Sequence, residues 1–414
     1  MVVPSLLREN PQFRRFWLGQ SISLLGDQVS LIALPLVAVL TLDASAAQMG
    51  YLVAAELAPN LLFSLHAGAW ADQRERKRRI MIATDLGRAL VIGSIPVAYA
   101  FDALTFPHMF VVAFLMGTLS VVFQVAYMPL YVALVPRDRL IEGGSIMHGS
   151  RALSYVAGPS IGGLLVQVLT APVTLVLDAC SYVVSALFLR SVEAEEPPPE
   201  AAGKGHVVAG VRWVFGNPIV RAALGATATI NFFNYVFFAL FILYANKSLG
   251  IEPGTLGLVL GAGAVGSLLG AVVTGRVAGR IGVGPAFAVG CVVFPAPLLL
   301  VPLAGGPRWV VLACLFFAEF GAGLGVMMLD ISVGAIFAAV IPDRLRSRVS
   351  GAYTVVNYGV RPLGALTGGA LGSWIGLRPT LWIATAGALA GFLWLLPSPI
   401  LRLKELPENA EGAP

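Results

Sequence analysis

Charged residues are scarce in this chain: Asp, Glu, Lys and Arg make up 12% of its 414 residues. A soluble globular domain carries roughly 25%, so this sequence lacks the polar residues that an ordinary water-facing surface needs. Cysteine and histidine are also rare, with three and four residues, and neither shows a spacing typical of disulfides or metal ligands. We therefore expect no metal site and no cofactor.

Apolar residues account for 57% of the chain and occur in continuous runs. Runs of about 20 residues are long enough to cross a hydrocarbon core of about 30 Å as helices, and they lack the alternation typical of membrane strands. We predict an all-α polytopic membrane protein with twelve transmembrane helices. The predicted spans are residues 13–42, 46–71, 80–102, 106–135, 139–167, 172–190, 219–246, 255–279, 284–305, 308–340, 345–374 and 379–397.

Basic residues concentrate on one side of these spans. With the N-terminus inside, 20 of the 27 Lys and Arg residues lie in inner segments and three lie in outer ones. The positive-inside rule therefore predicts that both termini are cytoplasmic. The densest group, in "ADQRERKRR" at 71–79, lies in a loop too short for a nucleic-acid-binding face. We expect membrane lipid, and no nucleic acid, as its partner.

The chain repeats at half its length. "GAWAD" at 68 has a counterpart in "GRVAGR" at 275, and "VPRDR" at 135 has one in "IPDR" at 341. One common offset predicts two six-helix halves. A segment with three prolines and four glutamates separates them and is typical of a linker. The predicted domains are an N-terminal half at 1–190, a cytoplasmic linker at 191–210, a C-terminal half at 211–400 and a cytoplasmic tail at 401–414.

Five ionisable residues lie roughly 15 to 20 Å deep in the predicted spans, near the bilayer midplane. They are Asp27, Glu56, Arg151, Glu319 and Arg361. A charge at this depth is costly and is a functional candidate by default. Burial disfavours the ionised form of a carboxyl group and a nearby arginine favours it, so a carboxylate between these effects suits proton exchange. The alternative is a permanent ion pair that fixes helix packing.

Polar residues on the same helices are candidates for a substrate cavity. Gln20 lies seven positions before Asp27, on the same helical face. Asn231, Asn234 and Tyr235 cluster in the middle of the seventh span. By contrast, Asp85 and Arg88 are three residues apart and predict a local ion pair. Asp178 and Asp330 lie nearer the ends of their spans, which favours structural or interfacial roles.

The fifth span contains "GPSIGG", with Gly158, Pro159, Gly162 and Gly163. Small residues let helices approach closely in lipid, and proline removes a backbone donor. Packing alone explains this pattern, and so does a helix that moves against its neighbours.

Several of these motifs resemble those of one transporter family. Gly68, Asp72, Arg76 and Lys77 resemble the G-x-x-x-D-(R/K)-x-G-R-(R/K) loop signature of the major facilitator superfamily, and "GPSIGG" is similar to the glycine motif of its antiporters. "FRRFWLGQSISLLGDQVSLIALPL", "DLGR" and "IPDRLRSRVSG" resemble the bacterial exporters that include macrolide efflux proteins and the enterobactin exporter.

The resemblance implies the major facilitator fold and a secondary transporter of the bacterial inner membrane, driven by protons. It also implies that Asp72 holds the inward side of the two halves together with support from Arg76 and Lys77. Simple anchoring of the loop is the alternative for these two basic residues.

The sequence contains no G-x-x-x-x-G-K-[ST] loop, so ATP is not expected to drive transport directly. We predict proton-coupled export of small amphipathic compounds, such as a drug, an antibiotic or a siderophore, by a monomer working through alternating access. Import or facilitated passage of a natural metabolite is the alternative. A membrane sensor and an intramembrane enzyme are disfavoured, because the chain shows neither an output domain nor a catalytic constellation.

Overall fold

The description rests on a computed structural model, which describes residues 4–72, 74, 76–193 and 213–404. Most of the predicted linker and the tail from residue 405 onward lie outside these residues, so the predicted domain boundaries stay a prediction. Within the described residues, twelve principal helices follow one another. They are α1 (Pro11–Leu36), α2 (Ala46–Asp72), α3 (Lys77–Ala100), α4 (Phe106–Leu134), α5 (Leu140–Leu169), α6 (Ala171–Arg190), α7 (Pro218–Lys247), α8 (Pro253–Ile281), α9 (Val283–Val293), α10 (Arg308–Val340), α11 (Asp343–Trp374) and α12 (Leu377–Leu389).

The predicted all-α fold is confirmed. Within the described ranges, nine helices are long and apolar enough to cross a membrane. Helices α2, α11 and α12 are not among them. Helix α12 has only 13 residues before the chain tightens into a 3₁₀ helix at Ala390–Leu395, and α11 has Arg361 near its middle.

Prolines divide two of the predicted spans. Pro35 lies near the end of α1, and the chain continues as a π-helical turn over Val37–Thr41. The predicted span 284–305 is not one helix: α9 ends at Val293 and is followed by a 3₁₀ turn, Pro297–Leu299, and a short helix, Leu300–Leu303. Pro295 and Pro297 explain this break, because proline donates no helical hydrogen bond and clashes with the preceding turn.

The chain forms two compact units. The first comprises the described residues of Met1–Ala44, Ala55–Gly203 and Glu252–Leu258. In it, α1 packs against α5 and α6, and α3 packs against α4 and α6. One end of this unit has an aromatic core that includes Phe13, Phe16 and Phe123.

A short helix, Ser5–Glu9, closes that end of the first unit. The Glu142 carboxylate of α5 accepts hydrogen bonds from the Ser5 hydroxyl (3.2 Å) and the Leu6 backbone N–H (3.0 Å). Arg139 forms ion pairs with Glu142 at 2.8 Å and with Glu9 at 2.7 Å. These partly exposed pairs add little stability each, but together they fix the start of the chain against α5.

The second unit comprises the described residues of Ser45–Ala54, Lys204–Ile251 and Val259–Pro414. Helix α7 packs against α11 and α12, and α9 packs against α10. Its core includes Phe287, Leu329, Ile336 and Leu395, all at most 5% exposed. Apolar burial therefore organises each unit around its own interior.

The first helix of each unit begins in the same way. Asn10 and Asn217 precede Pro11 and Pro218, the first residues of α1 and α7. Each asparagine side chain accepts backbone hydrogen bonds from the first turn, from Phe13 in α1 (2.9 Å) and from Ile219 and Val220 in α7 (3.0 and 3.1 Å). An asparagine cap followed by proline is a strong helix start, and the two copies are 207 residues apart in the sequence.

Glycines set equivalent close contacts in both units. A Cβ atom on Gly158 of α5 would lie 2.3 Å from the Cβ of Gln28 in α1, and one on Gly364 of α11 would lie 2.2 Å from the backbone oxygen of Phe232 in α7. These glycines are 206 residues apart. Only a residue without a side chain permits this approach, so α1–α5 and α7–α11 are corresponding helix pairs.

Candidate functional site

Helix α6 presents a polar face to the interior of the first unit. Asp178, Ser181, Tyr182 and Ser185 occupy positions i, i+3, i+4 and i+7, which share one side of a helix. All four are at most 7% exposed. Ser30 of α1 and Ser181 donate hydrogen bonds to the Asp178 carboxylate. A buried carboxylate with two hydroxyl donors is well satisfied, so this face is a built polar site within an apolar helix.

Asp27 of α1 lies at the edge of this polar face. The Tyr182 hydroxyl donates a hydrogen bond to the Asp27 carboxylate at 2.5 Å. Asp27 is partly exposed, whereas Asp178 is completely buried. Asp27 thus lies where the buried hydrogen-bond network meets the partly exposed surface of α1.

A third carboxylate, Asp85, joins the network from α3. Ser185 donates a hydrogen bond to Asp85 at 2.7 Å, and the Gln20 amide of α1 donates to Ser185 at 3.3 Å. Asp85 and Arg88 form the predicted ion pair at 3.6 Å. We define Asp27, Asp85, Asp178, Arg88 and Tyr182 as the carboxylate network.

Arg88 occupies a central and incompletely bonded position. Its guanidinium lies 4.2 Å from the ring centre of Phe123 and 5.3 Å from that of Tyr182, which are cation–π distances. Its Nε atom and the Oδ1 atom of Asp85 are buried, and neither has a hydrogen-bond partner among the residues that the structure describes. The charge of Arg88 also acts on Asp27 and Asp178. The positive charge of one arginine therefore acts on three carboxylates.

Glu56 and Arg151 lie near the network without joining its hydrogen bonds. The charges of Glu56 and Asp27 are close enough to interact, and so are those of Arg151 and Asp27. Glu56 is exposed and Arg151 partly exposed. Among the described residues, none of the five deep ionisable residues predicted from the sequence forms an ion pair within 4 Å.

The second unit contains a polar ladder along α7 and α11. The Tyr353 hydroxyl donates to the Thr227 hydroxyl at 3.1 Å, and the Asn231 amide donates to the Asn357 side-chain oxygen at 3.1 Å. One turn further on, Arg361 lies 5.4 Å from the ring centre of Tyr235 and 4.2 Å from that of Tyr358. We call Thr227, Asn231, Tyr235, Tyr353, Asn357 and Arg361 the polar ladder. Its members lie four residues apart on each helix, so each helix contributes one face.

Glu319 and Asn234 stand apart from the ladder. The Glu319 carboxylate on α10 lies beside Gly263 of α8, where an added Cβ would be 3.3 Å away. Within the described part of the chain, neither Glu319 nor Asn234 makes a side-chain hydrogen bond. The exposed carboxylate of Asp330 on α10 is close enough to Arg361 for their charges to interact.

The loop signature is described only in part. The surroundings of Gly68 and the side chain of Asp72 lie outside the described residues, although α2 continues to Asp72. Arg76 is exposed before the first turn of α3, and Lys77, the first residue of α3, is only 5% exposed. The Lys77 side chain is therefore packed inside the protein and does not lie on the surface of the loop.

The glycine motif of α5 contacts two other helices. Gly158 and Gly162 face α1, where added Cβ atoms would lie 2.3 Å from Gln28 and 3.0 Å from Val29. Gly163 faces the first turns of α8, where its Cβ would lie 2.3 Å from the Pro253 oxygen. Within the first unit, α5 therefore packs closely against α1 on one side and against the first turn of α8 on the other.

The comparison with known families decides the identity. A profile of the Major Facilitator Superfamily matches residues 16–365, and it matches residues 224–413 as well. The chain belongs to the Major Facilitator Superfamily. It is accordingly a multi-pass membrane transporter, as the loop signature and the glycine motif predicted.

Relatives of this superfamily member are similar over most or part of its length. The multidrug efflux pump Tap of Mycobacterium tuberculosis is 27% identical over 418 residues, covering 93% of each chain. The pump of the same name from Mycolicibacterium fortuitum is 28% identical and covers 86% of this chain and 88% of its own. The enterobactin exporter EntS of Shigella dysenteriae is 28% identical over 239 residues, 55% of each chain.

Solved structures share the fold of this superfamily member at low sequence identity. The nucleoside transporter NupG superposes with a TM-score of 0.77 at 11% identity, covering 93% of this chain and 99% of its own. A bacterial homologue of the iron transporter ferroportin, in an inward-facing state, gives 0.74 at 15% identity and covers 97% and 100%. At this identity the likeness indicates the fold alone.

Proposed function

We propose that this chain exports small amphipathic compounds from the bacterial cytoplasm in exchange for protons, by alternating access. The sequence relatives named as a multidrug efflux pump and an enterobactin exporter support export. The observation that carries the coupling is the partly exposed Asp27 carboxylate at the edge of a buried network. In this proposal the protein is a monomer of the inner membrane with both termini cytoplasmic, and no enzymatic step is involved.

The charge balance of the network supports proton exchange. The charge of Arg88 acts on Asp27, Asp85 and Asp178, and Arg151 acts on Asp27 from a partly exposed position. Three ionised carboxylates around one guanidinium leave an uncompensated negative charge, which is expensive in an interior of low polarity. A proton held within the network removes this cost. Coupled carboxylates of this kind bind protons as a group.

Asp27 is the member of the network best placed to exchange that proton. It is partly exposed, while Asp85 and Asp178 are fully buried. Protonation of Asp27 weakens the attraction between Asp27 and Arg88, which leaves Arg88 free to align with Asp85, whose Oδ1 atom has no hydrogen-bond partner. Loss of the proton reverses this step. The proton thus changes how α1 and α3 are held against α6.

In this proposal, each unit contributes its own residues to substrate recognition. Glu56 and Asp27 place two carboxylates near one another in the first unit and would attract the cationic end of an amphipathic substrate. In the second unit, Asn231, Tyr235 and Arg361 supply donors, acceptors and an aromatic face. Asp27 then has two roles, and protonation from outside releases a cationic substrate by removing its counter-charge.

The loop signature and the glycine motif complete the proposal. Asp72, with Arg76 and Lys77, stabilises one end state of the transport cycle at the inner surface. The close contacts at Gly158 and Gly163 let α5 move against its neighbours without large side chains in the way. The direction of transport rests on the sequence relatives, since the fold itself is shared with transporters of other substrates.

Asp27→Asn tests the coupling. The amide keeps the shape of the protonated acid but cannot exchange a proton, so we expect gradient-driven export to fall to near background while passive equilibration persists. The assay is efflux of a fluorescent amphipathic cation from vesicles that contain purified protein and an imposed pH gradient. Asp138→Asn is the matched control, because Asp138 is exposed outside the network. Full gradient-driven export by Asp27→Asn would refute the proposed role.

A further inference from the structure

The end of α2, the start of α3 and the middle of α4 line an open cavity of about 620 Å³. Sites for small ligands commonly have volumes of about 300 to 1,000 Å³. All of its lining residues belong to the first unit. The cavity adjoins the loop with the densest basic charge in the chain and is separate from the carboxylate network, so it calls for its own explanation.

One end of this cavity is cationic. Arg74, Arg76 and Arg79 line it and are all exposed. Among the described residues, no carboxylate lies within ion-pair distance of these three guanidinium groups. Arg78, in contrast, donates a hydrogen bond to the Val192 backbone oxygen. Three guanidinium groups that have no acidic partner within the described part of the chain form a site for an anion that offers several oxygens.

The other end of the cavity is apolar. Ala83 of α3 and Leu119 and Val122 of α4 line it. Thr84 also lines it, but the Thr84 hydroxyl donates within its own helix, to the backbone oxygens of Ile80 and Met81 at 2.9 Å each. The wall therefore offers hydrocarbon and no free polar group. A small inorganic anion would leave this apolar surface uncovered.

The apolar end continues along the surfaces of both helices. Leu86 and Leu90 follow Ala83 on the same face of α3 and are 44% and 77% exposed, and Leu115 precedes Leu119 on α4. The eight residues from Ala83 to Leu90, seven helical steps, extend this track by about 10 Å toward the membrane interior. At the cationic end, Trp70 is 41% exposed, and its ring lies 5.2 Å from the Arg74 guanidinium. Tryptophan is typical of the boundary between headgroups and hydrocarbon.

We propose that this cavity binds an anionic phospholipid of the inner leaflet, with its phosphate oxygens on Arg74, Arg76 and Arg79 and an acyl chain along α3 and α4. Three guanidinium groups favour a headgroup with two phosphates over one with a single phosphate. Basic pockets between membrane helices on the cytoplasmic side have this chemistry. The proposal does not depend on the substrate or on the direction of transport.

Native mass spectrometry of the purified full chain tests this site. We expect one bound molecule of cardiolipin, which has two phosphates, with weaker binding of phosphatidylglycerol and weaker still of phosphatidylethanolamine. Arg74→Gln and Arg79→Gln should each weaken cardiolipin binding about fivefold, the factor that corresponds to about 1 kcal/mol per basic residue near the membrane surface. Arg137→Gln, which removes an exposed arginine outside the cavity, should leave it unchanged.

A second variant separates a lipid from a free anion. Ala83→Phe fills the apolar end of the cavity, where the acyl chain is expected to lie, so it should weaken cardiolipin binding. It leaves the three arginines in place, so the binding of pyrophosphate should be unchanged. If Ala83→Phe has no effect and pyrophosphate displaces cardiolipin fully, the site binds a free anion and the lipid proposal is wrong. An equal loss with Arg137→Gln would show unspecific attraction to basic protein and would also overturn it. The thermal midpoint of each lipid-free variant checks that it is folded.

Discussion

Gly26 of α1 lies directly opposite the polar face of α6, and replacing it with alanine tests how tightly that face is built. A Cβ atom at this position would lie 2.2 Å from the Ser181 hydroxyl oxygen and 2.4 Å from Oδ1 of Asp178. Non-bonded heavy atoms prefer about 3.5 Å or more. In Gly26→Ala, both side chains must therefore move by about 1 Å or α1 must separate from α6.

The expected cost follows from these contacts. Overpacking of an interior typically destabilises a protein by about 1 to 3 kcal/mol, while exchange of glycine for alanine in a helix returns about 0.5 to 1 kcal/mol. We expect a net loss of about 1 to 2 kcal/mol in the free energy of unfolding, measured in mixed micelles. Transport should fall as well, because Asp178 shares the electrostatic network of Asp27.

Gly93→Ala is the matched control for this experiment. Gly93 lies on α3, and an added Cβ would meet only the Ala179 side chain of α6, at an ordinary distance of 3.6 Å. This variant should be as stable as the parent protein or slightly more stable. Adding Ser181→Gly to Gly26→Ala should restore part of the lost stability. Equal stability and equal transport for Gly26→Ala and Gly93→Ala would refute the tight contact between α1 and α6.

Three further predictions concern the inner loop, the topology and the polar ladder. Asp72→Asn should slow transport and leave equilibrium substrate binding within a few-fold; a large loss of affinity with an unchanged rate would contradict its gating role. In a chain without the native cysteines, Ala103→Cys should react with an impermeant thiol reagent from outside whole cells and Arg137→Cys only from inside; labelling of both from outside would refute the topology. Asn357→Leu should reduce the free energy of unfolding by about 0.5 to 1.5 kcal/mol, because the partly buried Asn231 amide on α7 loses the Asn357 oxygen as an acceptor and keeps only the Thr227 backbone oxygen. Asn234→Leu, which removes no hydrogen bond among the described residues, should be near neutral, and equal losses would argue against the ladder.

The sequence predicted the helices better than it predicted their meeting faces. Continuous apolar runs are a direct consequence of the membrane as solvent, so the twelve-helix fold followed from them. The break after α9 was foreseeable from Pro295 and Pro297 but was outweighed by the hydropathy of the whole segment. Hydropathy averages over a segment and hides single prolines.

The carboxylate network was predicted only at its edge. Asp27 and Gln20 were identified from their depth, whereas Asp178 was assigned a structural role because it lies away from the midplane. The signal that would have found it is the spacing of Asp178, Ser181, Tyr182 and Ser185 on one face of α6. Which helix meets that face depends on close packing at glycines such as Gly26, and a single sequence does not specify such pairings.

The polar face of α6 also bears on how the protein enters the membrane. Among the nine apolar helices of the described residues, α6 (Ala171–Arg190) is the shortest, with 20 residues. An aspartate at the centre of an inserting helix costs about 2.5 to 3.5 kcal/mol, and Asp178, which lies away from the centre, costs part of this. The partners of this face, Ser30 and Asp85, lie on helices synthesised earlier. During biosynthesis, α1 and α3 are therefore already present when α6 inserts. The polar groups of α6 can form hydrogen bonds with Ser30 and Asp85 as soon as it enters the membrane.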